Sequence, residues 1–374
     1  MSDAPPRRLL VVKLADIGDV LTATPALRAL RHTYPAAHLT ALVTPNGAQA
    51  LRGSPLVDEL LLLPKDRFDS PRAALHPASA AYALGFGTGL RRHAFDWVLL
   101  LHHLTTRWGT AKHAALCLAT GAPRLAGLDN GRGWFLTDRV HDRGFGACHE
   151  VEYALQVAAL ASATTDDTRL DLPLTGEDER AAEALLGDWA SSRPIAIHPG
   201  TGAFGPGRRW YPESFAAVAR ELARRIDAPI VLVGGPDEEG LARSIGERAG
   251  RPMLNLAGRT TVGQLGAVLR RCRLFIGSDS GVMHVAAAVG TPLVAVFGPS
   301  NERAWGPWTG GQGHAAVVRH DLPCSPCFYT GHRLGRRRGC PERTCLQLVS
   351  PAEVCAAAEG VLAAAGAGFE MTHR

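Results

Sequence analysis

The sequence predicts an α/β protein of two tandem domains, each a parallel sheet covered by helices. Three observations lead there. The chain has 374 residues, long for one domain. Short apolar runs alternate with helical patterns. That alternation also restarts at Ile195, after a polar stretch. Hydrophobic residues make up 46% and charged residues 20%, so each half can bury a core.

In the first half, residues 9–12 (LLVV) form a buried strand, followed by a turn through Asp16, Gly18 and Asp19. A helix is expected over residues 20–32, with Pro25 early. Further strands are expected at 39–43, 57–63 and 97–101, and a helix at 150–161. Residues 69–90, rich in Ala, Gly and Pro, fit no element clearly. Residues 164–175 are polar and contain Pro173, which places the domain boundary there. The expected domains are 1–170 and 171–350, with a C-terminal helix and tail over 351–374.

The second half repeats the rhythm. Strands are expected at 195–198, 230–233, 274–276 and 293–297, each running into a glycine-containing turn, and a helix at 212–225. Each half is therefore Rossmann-like, and two such domains in tandem imply a central cleft faced by the sheets. Ligands of open α/β sheets sit at the carboxyl ends of strands, where nearly every notable motif lies.

Bulk properties exclude several classes. The net charge of +5 is small and forms no concentrated stripe, so no nucleic-acid partner is expected. The densest basic run, Arg333, Arg336, Arg337 and Arg338, reads equally as a solvated loop or a site for an anionic acceptor. No apolar run approaches the ~18 residues of a membrane span. The short apolar run at 9–14 is interrupted by Lys13 and lacks a cleavage-type site, so a cytoplasmic protein is expected. Eight cysteines in that compartment argue for thiols or metal ligands. Cys324 and Cys327 have metal-ligand spacing, whereas Cys340 and Cys345 are less regular; structural zinc and free thiols both stay open.

Four motifs carry chemistry. Asp19 follows the first strand near a helix start, as a cap or as a charged base. The stretch from His198 to Gly207 contains G-x-G-x-x-G at Gly200, Gly202 and Gly205. It does not open into a helix, and the next strand ends in glycines rather than an acid, which disfavours a nicotinamide cofactor. Thr201, Arg208 and Arg209 suit a diphosphate better. The turn at 234–239 brings Glu238, either a ribose acceptor or a helix-start acid. The turn at 277–284 leads from Asp279 and Ser280 into a small-residue helix whose first N–H groups form an anion site. His284 shares a helix face with Ser280 and reads equally as packed or functional.

Together these residues resemble the family 9 glycosyltransferases, known for ADP-heptose:lipopolysaccharide heptosyltransferases. The resemblance rests on residues 10–20 (LVVKLADIGDV), 25–30 (PALRAL), 198–200 (HPG), 208–210 (RRW), 234–236 (GGP) and 256–258 (LAG). It is most specific at 277–284 (GSDSGVMH) through 297–299 (FGP), with 323–327 (PCSPC) and Cys340-Pro341 toward the tail.

The resemblance implies a GT-B fold and an inverting glycosyl transfer, with neither metal nor cofactor. It implies an ADP-heptose-like donor and a glycolipid acceptor of the lipopolysaccharide-core type, met at the inner membrane face. It makes Asp19 the general base. Thr201, Arg208, Ser280, Gly281 and His284 become donor-phosphate residues, Glu238 the ribose contact and Thr260 part of the adenine edge, with Asp279 facing the donor. Domain closure would bring base and donor together. Two departures stand out. Ala15 and Asp16 stand where the family often has Ser or Thr, and Arg208 where it often has lysine. Asp16 sets a second carboxylate near Asp19, which can raise the pKa of one of them. A GT-B-shaped nucleotide-sugar epimerase or hydrolase, and a non-catalytic nucleotide-sugar binder, remain the alternatives.

Overall fold

The computed structural model describes residues 5–311 and 313–366. The chain divides into two compact units: one runs to Thr168 and includes Gly331–Arg333, the other comprises Arg169–Thr330 and the chain from Leu334.

The first unit holds a six-stranded sheet: β1 (Arg8–Lys13), β2 (His38–Val43), β3 (Glu59–Leu62), β4 (Trp97–Leu100), β5 (Arg124–Asp129) and β6 (Asp138–His141). Every pairing is parallel, in the order β3-β2-β1-β4-β5-β6. Its helices are α1 (Ile17–Leu21), α2 (Thr24–Thr33), α3 (Pro71–Ala74), α4 (Pro77–Arg92), α5 (Arg107–Thr120) and α6 (Glu150–Ala159). β1 is central and apolar on both faces, with Leu9, Leu10, Val11 and Val12 all buried. Burial of each such side chain contributes about 1.5–3 kcal/mol.

The single helix expected over 20–32 is two. Pro25 lies in the first turn of α2, where its missing N–H is no loss, but inside one continuous helix it would remove a bond and clash. The chain therefore ends α1 and restarts. Asp19 falls in the first turn of α1 and Asp16 at its N-cap, so the reading of Asp19 as the cap does not hold. The stretch 69–90 holds α3 and most of α4, and two strands, β5 and β6, add to the four expected.

The second unit repeats the plan. Its strands are β7 (Ile195–His198), β8 (Ile230–Leu232), β9 (Leu254–Asn255), β10 (Leu274–Ser278), β11 (Leu293–Val296) and β12 (Ala315–Val318). The order β12-β11-β10-β7-β8-β9 is the topology of the first sheet. The helices are α7 (Gly176–Leu186), α8 (Pro212–Ile226), α9 (Glu239–Ala249), α10 (Val262–Arg270), α11 (Gly281–Ala288), α12 (Glu302–Trp305), α13 (Thr344–Gln347) and α14 (Pro351–Ala364). Phe215, Val218 and Leu222 of α8 share one core cluster with Val354, Ala358 and Leu362 of α14, so the C-terminal helix is part of this unit. Residues 367–374 of the expected tail lie outside the described residues. Among the described residues no helix is long and apolar enough to cross a membrane.

In both sheets the strand order reverses beside the first strand, between β1 and β4 and between β7 and β10. Loops leaving neighbouring strands there diverge, and a crevice opens at their carboxyl ends.

Candidate functional site

In the first unit that edge carries a row of ionisable groups from β1, β4 and the segments after them. Lys13 ends β1, is buried, and donates from Nζ to the Leu101 carbonyl at 3.0 Å. The Leu14 N–H donates to His102 Nε2 at 2.7 Å, so that nitrogen carries no proton. Burial, with the charge of His113 adding to it, pushes His102 well below the usual histidine range.

His103 sits between two carboxylates, Nδ1 at 2.9 Å from Asp142 and Nε2 at 3.0 Å from Glu150. The three side chains are 4%, 0% and 4% exposed. Burial opposes the imidazolium, yet the Glu150 charge and both hydrogen bonds outweigh it and raise the His103 pKa to about 9. Both carboxylates are held below their ordinary range despite burial, chiefly through His103. His332 lies 3.6 Å from Asp142 on its other oxygen.

Asp19 is half-buried. Burial is the main force on it; Lys13 pulls its pKa down while Asp16 and Glu150 push it up, to about 6. It is therefore ionised at neutral pH and more basic than an ordinary carboxylate, the condition a general base needs.

In the second unit the same edge is built from paired groups. His198 ends β7, its Nδ1 3.0 Å from Ser280 Oγ and its Nε2 2.9 Å from Glu238 Oε2. Glu238 also accepts from the backbone N–H groups of Gly202 at 3.1 Å and Gly235 at 3.0 Å. Burial raises its pKa, but these donors outweigh it and hold the carboxyl at about 2. Gly200 is required here, because a Cβ would fall 1.7 Å from Glu238 Oε1. Arg208 Nη1 lies 3.0 Å from Asp279 Oδ2, with side chains 11% and 3% exposed, and the guanidinium sits over the Phe328 ring. Arg208 Nη2 also reaches the Thr201 carbonyl at 3.4 Å. The Thr201 hydroxyl is buried and has no hydrogen-bond partner among the described residues. Burying a hydroxyl unpaired costs free energy, so such a group marks a place where a ligand atom is expected.

Ser280 is the N-cap of α11 but makes no side-chain cap bond; its hydroxyl is committed to His198. Gly281 opens the helix, whose first N–H groups lack intrahelical acceptors. His284 is buried one turn on, with its ring 6.4 Å from Trp305. Thr260 is half-buried in the loop before α10, and this loop docks on the Gly234 turn through the Gly258 N–H at 2.9 Å. The second unit thus brings Thr201, Arg208, Glu238, Asp279, Ser280, Gly281 and His284 to the β7–β10 edge, with Thr260 on the neighbouring loop. Asp19 lies at the corresponding edge of the first unit.

The buried set Lys13, His102, His103, Asp142 and Glu150 was not singled out from sequence. The signal was the His-His pair just beyond β4, a strand whose carboxyl end lies beside that of β1. Cys324, Cys327, Cys340 and Cys345 are free thiols, and among the described residues no cluster of His, Cys, Asp or Glu is arranged to hold a metal.

Two Rossmann-like units, each built on a six-stranded parallel sheet of the same strand order, give the chain the architecture of the GT-B class. Residues 84–336 match glycosyltransferase family 9 (heptosyltransferase). The chain belongs to that family and is a glycosyltransferase. It is similar to lipopolysaccharide heptosyltransferase 3 of Escherichia coli, 27% identical over 308 residues, 78% of this chain and 84% of that protein. The fold matches the family 9 glycosyl transferase from Veillonella parvula DSM 2008 with a TM-score of 0.73 at 24% identity, covering 96% of this chain and 97% of that one. It also matches E. coli heptosyltransferase WaaC, solved with ADP-2-deoxy-2-fluoro heptose, with a TM-score of 0.61 at 21% identity, covering 83% and 92%.

Proposed function

We propose that this glycosyltransferase moves a heptose from an ADP-heptose donor to a lipopolysaccharide-core acceptor, with inversion and without a metal. The names of its relatives support the substrates: a lipopolysaccharide heptosyltransferase and a structure holding an ADP-heptose analogue. The observation that carries the donor site is the buried, unpartnered Thr201 hydroxyl beside the Arg208–Asp279 pair.

In this reading the diphosphate meets the Thr201 hydroxyl, the Arg208 guanidinium and the first-turn N–H groups of α11 at Gly281, with His284 behind them. Asp279 holds Arg208 in place. Ser280, its hydroxyl engaged by His198, orients the helix start. Glu238, matched by the resemblance to a ribose contact, already receives three donors and braces the two glycine turns. Thr260 lines the adenine edge.

Asp19 takes the proton from an acceptor hydroxyl. That oxygen bonds to the anomeric carbon from the face opposite the nucleotide, and the bond from that carbon to the diphosphate oxygen breaks. ADP leaves with the added charge, which Arg208 and the helix start stabilise as preset donors. The acceptor is met at the inner membrane face.

The test is Asp19→Asn. Positioned bases contribute about 10²–10⁴-fold, so transfer should fall by that order while calorimetric donor binding persists. Transfer at the parental rate removes the base assignment. Release of free or epimerised sugar from donor alone, faster than transfer, favours a hydrolase or epimerase instead.

A further inference from the structure

The outer helical layer of the first unit is unusual in both its apolar and its charged residues. Leu75, between α3 and α4, is 79% exposed, Leu84 of α4 is 73% exposed and Leu118 of α5 is 49% exposed. Leu75 and Leu84 are the most exposed large hydrophobic side chains among the described residues. α4 turns Tyr82, Phe86 and Leu90 toward the core cluster, while Ala78, Ala81, Leu84, Gly85 and Thr88 form its exposed face. Neither 71–95 nor 97–123 contains an Asp or Glu. The exposed charges of the layer are Arg72, Arg91, Arg92 and Arg107. Asp69, just before α3, is drawn to Lys112 at 3.9 Å.

We propose that this α3–α4–α5 face docks the enzyme on an anionic phospholipid bilayer, the leucines entering the headgroup boundary and the arginines meeting lipid phosphates. Exposed leucines on an acid-free, arginine-flanked helical layer are the combination that binds such an interface. Charge separates this occupant from a second copy of the chain: a two-fold contact would set one arginine cluster against another. It also fits the acceptor class of the proposed function, but it stands on the surface alone, and vesicle binding, its deciding measurement, needs neither donor nor acceptor.

The experiment is flotation of the full-length protein with vesicles of phosphatidylcholine alone or mixed with phosphatidylglycerol. Binding is expected only to the anionic vesicles, and to weaken with salt. Each basic residue near such a surface contributes about five-fold, so Arg91→Gln with Arg92→Gln should cut partitioning about 25-fold. Leu75→Ser with Leu84→Ser should cut it by about ten-fold or more. Transfer to a water-soluble, delipidated acceptor should be unchanged in both variants. Absence of anionic-vesicle binding overturns the proposal. So does binding that survives the leucine substitutions, which would mark a purely electrostatic contact such as nucleic acid makes. A change of oligomeric state in the leucine variants, seen by sedimentation, assigns the face to self-association and also overturns it.

Discussion

The carboxyl edges of the two sheets have one topology and opposite electrostatics. In the second unit each charge has a partner in contact: Glu238 with His198 and two N–H groups, Arg208 with Asp279. The Glu238 carboxyl is held at about 2 and never titrates near neutrality. In the first unit His103 is similarly locked, but Asp19 is left with a pKa raised to about 6. One edge is built to keep charge fixed, as a binding site for an anion requires. The other leaves one group able to exchange a proton.

The largest expected effect comes from breaking the fixed edge. Glu238→Ala leaves the buried His198 and two part-buried N–H groups unmatched and should cost about 3–5 kcal/mol, read by denaturant unfolding. The linked pH dependence has a definite sign. The folded pKa of Glu238 is below its unfolded value of 4.5, so its stabilisation is present above that pH and fades as pH falls toward 2. Equal unfolding midpoints for Glu238→Ala and the parent would remove the idea of a rigid second edge.

Next in size is Arg208→Gln. In the proposed role its guanidinium meets the developing charge, so the loss should cost about 10²–10³-fold in kcat, with a smaller loss in donor affinity. A change in KM alone would make Arg208 a binding residue only.

His103 supplies the corresponding test in the first unit. Its folded pKa of about 9 lies above the ordinary 6.5. The stabilisation is thus complete below 6.5 and is lost as pH rises through 9. His103→Gln should abolish that alkaline loss, seen as hydrogen exchange in β4 and α6 between neutral and alkaline pH.

The smallest effect sharpens the donor site. Thr201→Val replaces an unpartnered buried hydroxyl with a methyl of similar shape, so stability should hold or rise slightly. Donor affinity should fall about ten- to a hundred-fold by calorimetry, the worth of one hydrogen bond to a charged group. Unchanged affinity would place the diphosphate elsewhere.

The same contrast explains what was legible in the sequence. β1 and β7 were visible because central parallel strands are apolar on both faces and end in glycine turns. β6 was not, because Asp138–His141 is a polar, partly exposed edge strand without an apolar run. α4 was hidden by Gly85, Gly87 and Gly89, which lower helix propensity and which tertiary packing overrides. Asp19, Arg208 and Ser280 stood out because each lies in a local motif. The pairings between side chains did not, since His103 meets Glu150 across 47 residues and His198 meets Glu238 across 40. Those pairings follow from strand order, which a single sequence does not display.

Asp19 is the proposed group that exchanges a proton, and the pH dependence of kcat/KM for transfer tests this most directly. It should show an acidic limb with a midpoint near 6, the rate falling as Asp19 is protonated. A profile still flat down to the ordinary carboxylate value of 3.8 would mean that the raised Asp19 does not carry the reaction.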